Sequence, residues 1–295
     1  MNILFNGVDI HNDVQTIEAS YTDNSGGKAD LLELTFADPS GYLWAQWNAM
    51  DDVQMIEIKT DDITTGKMFI HNVIDAGNGI EIIAASLSKS AKTKRSSTWI
   101  DVKFDEVANS LSMRNGLTYS PFTNTRLSYA VLNQVDLADV AFFNRLCTFE
   151  GFRLKIHDGK LVVYKKDETA PNITITRDDK DGPVEFSQEK RIGKATVISG
   201  RTHFSYGDGD GLEHIERCHL NSIGEAERWA RNLYFALNES TRSAKFSVRL
   251  NTKIAAGTNV LLDGFPGYDG VYFVERATHE FVNIRTNLLL YKTEA

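Results

Sequence analysis

The run Glu213-His214-Ile215-Glu216-Arg217-Cys218-His219 places two imidazoles and a thiol within six positions, the side chains that zinc prefers. A structural zinc site needs four ligands that converge, commonly two Cys and two His at short fixed spacings, and a complete set is missing here. On a strand, His214 and Cys218 share a face while His219 points away, so all three read as structural or solvent-facing; one stoichiometric zinc per chain by elemental analysis would overturn that. Just upstream, Gly207-Asp208-Gly209-Asp210-Gly211 has the look of a calcium loop. Counted from Asp208, the position where an EF-hand needs its bidentate Glu is His219, so the expectation is a hairpin tip. Lys89, Lys92, Lys94 and Arg95 form a basic run without periodicity, read as a solvated linker. The sequence contains no Gly-x-Ser-x-Gly elbow, no phosphate loop and no His-Glu-x-x-His pair. Nothing singles out a glycosidase pair among the 40 acidic residues. Trp44, Trp47, Trp229 and Tyr234 lie on apolar faces and read as core or subunit contacts rather than sugar platforms. The chemistry thus points to no enzyme, no cofactor and no metal.

The elements that would carry these residues are mostly strands. The most legible stretch is Leu132 to Tyr164. Asp136 reads as an N-cap there, Val140, Phe143, Leu146 and Cys147 recur at helical spacing, and Gly151 supplies a left-handed stop. A hairpin follows, turning at Asp158-Gly159, which pairs Ile156 with Leu161 and Leu154 with Val163 on one face. Before it, Leu32, Leu34 and Phe36 alternate, Trp44 and Trp47 mark a short helix within 41–50, and three strands follow up to residue 86. Phe104, Val107, Ala108 and Leu111 mark a helix that Gly116 ends, and a loose stretch runs from Leu117 to Tyr129. A strand over residues 172–176 and the run ending at Pro183 close this middle module. The last part opens with a strand from Lys194 to Tyr206. Ser222 and Glu225 then have capping-box spacing ahead of a helix whose apolar face is Ala226, Trp229, Ala230, Leu233 and Leu237. Four strands end the chain.

Composition bounds the function. With 295 residues the prior is two or three domains, and 42% hydrophobic with 24% charged residues is ordinary for a globular protein. A net charge of −8 argues against general or sequence-specific nucleic-acid binding, which needs a positive footprint. Two cysteines, Cys147 and Cys218, make no disulfide framework, and Cys147 reads as a reduced small hydrophobe. No signal peptide is expected, and no stretch approaches the ~20 apolar residues of a membrane span, so no stable membrane association is expected.

The two strand-rich halves echo each other. Ile58 is followed after eight residues by Gly66 and then Phe69; Leu262 is followed after eight residues by Gly270 and then Phe273. Continuing the offset puts Ile80 on Ile284. Two copies of a small barrel-like unit in one chain could form a ring that is three-fold by chain and nearly six-fold by unit.

In order and spacing the chain resembles the phage late control protein D family of contractile-tail baseplate hubs, related to the first part of the type VI secretion valine-glycine repeat proteins. The likeness rests on Tyr21-Thr22-Asp23, residues Ala29 to Asp38, Trp44, and the basic stretch leading to Trp99. It rests above all on Asp139 to Leu146 with Gly151 and Asp158-Gly159-Lys160-Leu161, and further on Gly257 to Val260, Gly270-Val271-Tyr272 and His279. The resemblance implies an α+β, mostly β chain: two small tube-like antiparallel β-barrel domains, each with a helix, at 1–95 and 186–295, separated by an α+β middle domain at 96–185. The middle domain would hold helices near 104–115 and 137–150 and the hairpin 152–165; the second barrel would hold helix 222–238. It implies a structural homotrimer that adapts a hexameric tail tube above to a trimeric spike below, alongside baseplate and tape-measure proteins. Such a component is assembled in the bacterial cytoplasm and belongs to a phage, a headless bacteriocin or another contractile injection device. The chain stops after its second barrel, so the spike would be a separate polypeptide docking near the C-terminal strand. Glu57, Lys59 and Glu81 are the candidate channel-facing residues, and three chains at −8 would place −24 around the channel. The competing readings are a tail-associated cell-wall hydrolase and a monomeric carbohydrate-binding module.

Overall fold

The computed structural model describes residues 1–47, 54–121, 126–166, 170–171 and 173–293. The first sheet contains β1 (Asn2–Phe5), β2 (Val8–Asp9), β3 (Thr16–Asn24), β4 (Leu31–Ala37), β5 (Met55–Lys59), β6 (Met68–Asp75) and β7 (Gly79–Ala85), with helix α1 (Tyr42–Trp47) between β4 and β5. Next come β8 (Lys94–Lys103), α2 (Phe104–Arg114), β9 (Thr118–Pro121), β10 (Ser128–Ala138), α3 (Asp139–Phe149), β11 (Arg153–His157) and β12 (Lys160–Tyr164). They are followed by β13 (Ile173–Thr176), β14 (Lys180–Gln188), β15 (Ile192–Ser199), β16 (Thr202–Gly207), β17 (Leu212–Arg217) and α4 (Ile223–Asn238). The chain closes with β18 (Arg242–Arg249), β19 (Asn259–Asp263), β20 (Gly270–Glu280) and β21 (Arg285–Lys292). Strands dominate, in curled antiparallel sheets, which is the expected α+β, mostly β class.

Alternation drives the first sheet. Leu32, Leu34 and Phe36 turn to one face of β4, Ile56 and Ile58 to the same face of β5, and all are fully buried. Trp47 closes this core, stacked on Phe5 at 5.2 Å and edge-on to Phe36 at 5.9 Å. Asp38 starts α1 by accepting from the Trp44 N–H at 2.8 Å. The remainder of the helix expected within 41–50 falls outside the described residues.

The second sheet repeats the first. Its strands run β14-β18-β21-β20-β19 where the first runs β3-β4-β7-β6-β5. Met55 pairs with Phe69 and Ile56 with Met68; at a constant offset of 204, Asn259 pairs with Phe273 and Val260 with Tyr272. Both second strands carry a β-bulge at the same place, between Ile70 and Asn72 and between Val274 and Arg276. The echo therefore extends to register and bulge, features that a strand pattern specifies strongly when one face is buried. One extension fails. Phe69 pairs with Ala85 but Phe273 pairs with Tyr291, so the second hairpin is two residues longer. The counterpart of Ile80 is Thr286, which is fully buried, and Ile284 sits exposed in the turn at φ 52°.

The central core corrects the expected partition. It gathers α2, α3 and the β11–β12 hairpin, but also Ala195 and Val197 of β15 and Trp229, Ala230 and Leu233 of α4. The helix expected to accompany the second barrel thus packs against the middle elements, with Trp229 stacked on Phe149 at 4.5 Å. Conversely, β13 pairs in parallel with β19, and β14, with Pro183 inside it, pairs with β18, so the strands expected to close the middle module belong to the second sheet. The second sheet's own core is built of Ala244, Phe246, Val248, Val260, Leu262 and their neighbours.

Three local expectations change as well. The supposed linker 89–98 is a short helical turn followed by β8, which pairs along its length with β10. β8 is polar and exposed over most of its length and turns little besides Trp99 and Val102 to the core, so it leaves little alternation to read. The loose stretch from Leu117 contains β9, which pairs in parallel with β12. Asp136 does not cap α3: it lies in the bulge of β10 at φ 48°, and the N-cap position is Ala138. Asp139 holds the helix start instead, buried and accepting from Gln134 Nε2 at 2.9 Å and Asn115 Nδ2 at 3.2 Å. The hairpin is as expected, with Ile156 opposite Leu161, Leu154 opposite Val163, and positive φ at both Asp158 and Gly159.

The strand expected over Lys194 to Tyr206 is the β15–β16 hairpin, and the Gly207–Gly211 run is a crossover, not a hairpin tip. β15 has β16 antiparallel on one side and β17 parallel on the other, so the glycine run must pass the start of β15. It does so over Gly193, where an added Cβ would lie 2.0 Å from the Asp210 carbonyl oxygen. Gly193→Ala is expected to destabilise the protein by about 1–3 kcal/mol through overpacking, read as a lower urea midpoint. An unchanged midpoint would mean that the crossover moves aside freely.

Candidate functional site

Neither suspected metal cluster survives as a ligand set. His214 Nε2 faces Glu216 at 3.3 Å, and Glu216 pairs with Arg145 of α3, whose guanidinium also donates to the Arg217 carbonyl at 3.1 Å. These residues pin the end of β17 to the central helix. Cys218 is half-buried, which pushes its thiol up to about 11. No group of three or more His, Cys, Asp or Glu is placed to hold a metal among the described residues. No helix among the described residues is long and apolar enough to cross a membrane.

A buried polar cluster that sequence reasoning missed joins the two sheets to the central core. β20 leaves β19 beyond its bulge and pairs antiparallel with β3, Arg276 to Glu280 against Asn24 to Ser20. At that seam Asp23 takes Lys155 Nζ at 2.6 Å and the Ala256 N–H at 2.8 Å. Asp30 accepts from Tyr21 Oη at 2.9 Å and from the Asn24 N–H at 2.9 Å, and His157 Nδ1 stands 3.3 Å from the same carboxylate. Ser25 donates to Glu275 Oε2 at 2.5 Å and its N–H to the Glu275 carbonyl at 3.0 Å. The backbone continues the seam, with Gly27 N–H donating to the Leu154 carbonyl at 2.8 Å and Ala29 bridging Ile156. Tyr21, Asp30 and His157 have the composition of a proton relay, yet every oxygen of Asp23 and Asp30 already has a protein partner and both carboxylates are buried. Burial raises the Asp23 carboxyl, and Lys155 pulls the other way. Burial also raises the Tyr21 phenol and lowers His279, which stacks on Tyr21 at 6.2 Å, to about 4. The arrangement fastens three parts of one chain. Tyr21, Asp23 and Asp30 fall in the stretch that carries the family likeness, and that is their one signal in the sequence; Lys155, His157 and Ala256, which complete the cluster, lie far along the chain.

The expected site residues divide among three places. Trp44 and Trp47 pack in the first core, Trp229 and Tyr234 in the central core. Glu57, Lys59 and Glu81 lie on the face of the first sheet opposite its core. Lys59 Nζ is 3.2 Å from Glu57, which also accepts from Thr64 Oγ1 at 2.7 Å, while Glu81 stands in β7 between Thr35 and Ile74. A separate recess of about 510 Å³ lies beside the end of α4, with Lys166, Arg191, Arg231, Arg242 and Lys292 around Glu239.

Two strand edges of the sheet lie open. β14 pairs with β18 on one side, and β6 beyond its bulge pairs with β7 on one side; no ladder partner occupies the other side of either among the described residues. Exposed edges of this kind template further strands.

No model of a known protein family matches the chain, and no curated protein matches it by sequence. The likeness is in the fold. The 43 kDa tail protein of prophage MuSo2 from Shewanella oneidensis aligns over 99% of this chain and 98% of its own, at 12% identity and a TM-score of 0.74. A tail protein from Neisseria meningitidis aligns over 99% and 95%, at 13% identity and a TM-score of 0.73. A component of the E. coli type VI secretion system, described as structurally similar to bacteriophage tail proteins, aligns over 95% and 74%, at 10% identity and a TM-score of 0.61.

Proposed function

We propose that this chain, which has the fold of phage tail proteins, is a structural hub of a contractile tail or tail-like injection particle. Three copies close into a ring of six nearly equivalent sheets, which adapts a hexameric tail tube above to a trimeric spike below. The observation that carries the reading is the duplicated sheet, equal in strand order, in the register of β5–β6 and β19–β20, and in bulge position. A protomer with two equivalent units meets a six-fold partner through its units and a three-fold partner through its chains. Glu57, Lys59 and Glu81 face the channel in this arrangement, on the side of the sheet away from its core. The buried carboxylates serve assembly of the protomer, and no residue is given a catalytic role.

The experiment is a mass measurement in solution, alone and with a candidate trimeric spike protein. The expected result is a particle of three times the 33.0 kDa chain mass. A chain that stays monomeric in both conditions would remove the hub reading. Release of soluble fragments from purified cell wall would favour the hydrolase instead.

A further inference from the structure

Inside one chain, β3 is the edge of the first sheet, and it is covered by the part of β20 that lies beyond the bulge. The duplication gives both of these strands a counterpart. β20 maps on β6 at the offset of 204, so Arg276 to Glu280 correspond to Asn72 to Ala76. β4 maps on β18, because Leu31 opposite Ala85 corresponds to Ser243 opposite Tyr291; Leu32, Leu34 and Phe36 then fall on Ala244, Phe246 and Val248, all buried. β3 in turn maps on β14, because Thr22 opposite Leu31 corresponds to Ser187 opposite Ser243. The counterparts of the two joined strands are thus β14 and the outer half of β6, each with an open edge among the described residues. Asn72, Asp75, Glu185 and Gln188 are exposed there, and Ile74 is 40% exposed. β14 ends the sheet path, and the outer half of β6 lies on the far side of β3, β4 and β7 from it.

We propose that β14 of one copy adds antiparallel to the outer half of β6 of the next, in the register of the internal joint. Ile74 then lies opposite Ser187, as Thr278 lies opposite Thr22, and Asp75 lies opposite Phe186, as His279 lies opposite Tyr21. The partner is a second copy of this chain, since the chain's own other joint supplies the mating strand, its direction and its register. Main-chain ladder bonds carry such strand addition, and side chains at alternate positions make it specific. The contact is head-to-tail, so repeating it either closes a ring or grows a filament. Closure at three chains rests on the hub reading above; the strand pairing needs only a second copy.

Paired cysteines test the register. Thr22 and Thr278 bring their hydroxyls to 3.1 Å across the internal joint, so side chains at the corresponding positions 74 and 187 are adjacent enough for a disulfide. Ile74→Cys with Ser187→Cys, in a Cys218→Ser background that leaves buried Cys147 in place, is oxidised at assembly concentration and run on a non-reducing gel. The expected result is a covalent species at three times the chain mass. Ile74→Cys with Glu185→Cys, two residues out of register, stays at the mass of one chain. Equal cross-linking of the two pairs, or none in a protein that is trimeric by mass, overturns the joint and leaves the hub reading intact. A protein that is monomeric alone and with its spike overturns both. Circular dichroism of each variant, matched to the parent, keeps misfolding out of the comparison.

Discussion

Glu150→Ala is expected to destabilise the protein by about 3–5 kcal/mol, the range for breaking a buried ionic network by removing one member. Glu150 is the residue after α3, and its carboxylate is fully shielded from solvent. It accepts from Arg228 Nε at 2.6 Å, Trp229 Nε1 at 2.7 Å, Tyr129 Oη at 2.9 Å and Arg228 Nη2 at 3.0 Å. The network ties β10, the end of α3 and α4 together within the central core. Arg228 is 39% exposed and can turn to water when its partner goes. Trp229 and Tyr129 cannot, so two buried donors are stranded, at about 1–3 kcal/mol each. Glu150→Gln keeps a carbonyl oxygen for those two donors and gives up the pairing with Arg228 Nε, so its loss is expected to be the smaller. Urea denaturation followed through tryptophan fluorescence measures both; a loss under ~1 kcal/mol for the alanine variant would contradict this account.

Acid is expected to loosen the seam between the sheets through His279. The ring is buried, with Nδ1 3.1 Å from Thr286 Oγ1, and burial lowers it to about 4 from the ordinary imidazole value of 6.5. An unfolded chain takes up that proton near pH 6.5 and the folded chain only near pH 4. Stability is therefore fully present above pH 6.5 and is lost as the pH falls toward 4. Each tenfold difference in proton affinity between the two states is worth about 1.4 kcal/mol, so the whole interval amounts to about 3 kcal/mol. Asp23 acts in the opposite sense at lower pH, since its raised carboxyl binds a proton more readily in the folded state. His279→Asn removes the titration and keeps a short polar side chain beside Thr286, so its stability is expected to change less than the parent's between about pH 7 and pH 5. Parallel slopes for parent and variant would show that His279 does not carry the effect.

What the sequence makes legible is what depends on nearest neighbours along the chain. The Asp158-Gly159 turn sets the hairpin register, the spacing of Val140, Phe143, Leu146 and Cys147 locates α3, and Gly66 and Gly270 at equal distance from their strands disclose a repeat whose register is equal. What stays hidden depends on partners far away. β8 has no alternation because its sides are largely exposed, and only its ladder with β10 identifies it. The apolar face of α4 is readable, but not that it covers the central core and leaves the second sheet to other residues. The polar seam is the extreme case, since Ser25 and Glu275 are 250 residues apart and each is unremarkable alone. The glycine run misleads for a topological reason: a crossover and a hairpin tip use the same residue types, and only the parallel placement of β17 separates them.

The pairing of β3 with β20 also sets a clock during synthesis. The strands β3 to β7 are complete in the nascent chain by residue 85, yet the strand that covers the outer edge of β3 begins only at residue 270. Between Asn24 and its partner Arg276 a ribosome must add about 250 residues, on the order of 10–50 s at ~5–20 residues per second. For that time the edge is open to strands of neighbouring nascent chains. Asp23 stands along it, at the position that Ala277 later faces, and a carboxylate on a waiting edge discourages foreign strands from adding. The residue that later takes Lys155 at the seam therefore also guards it before the lock exists.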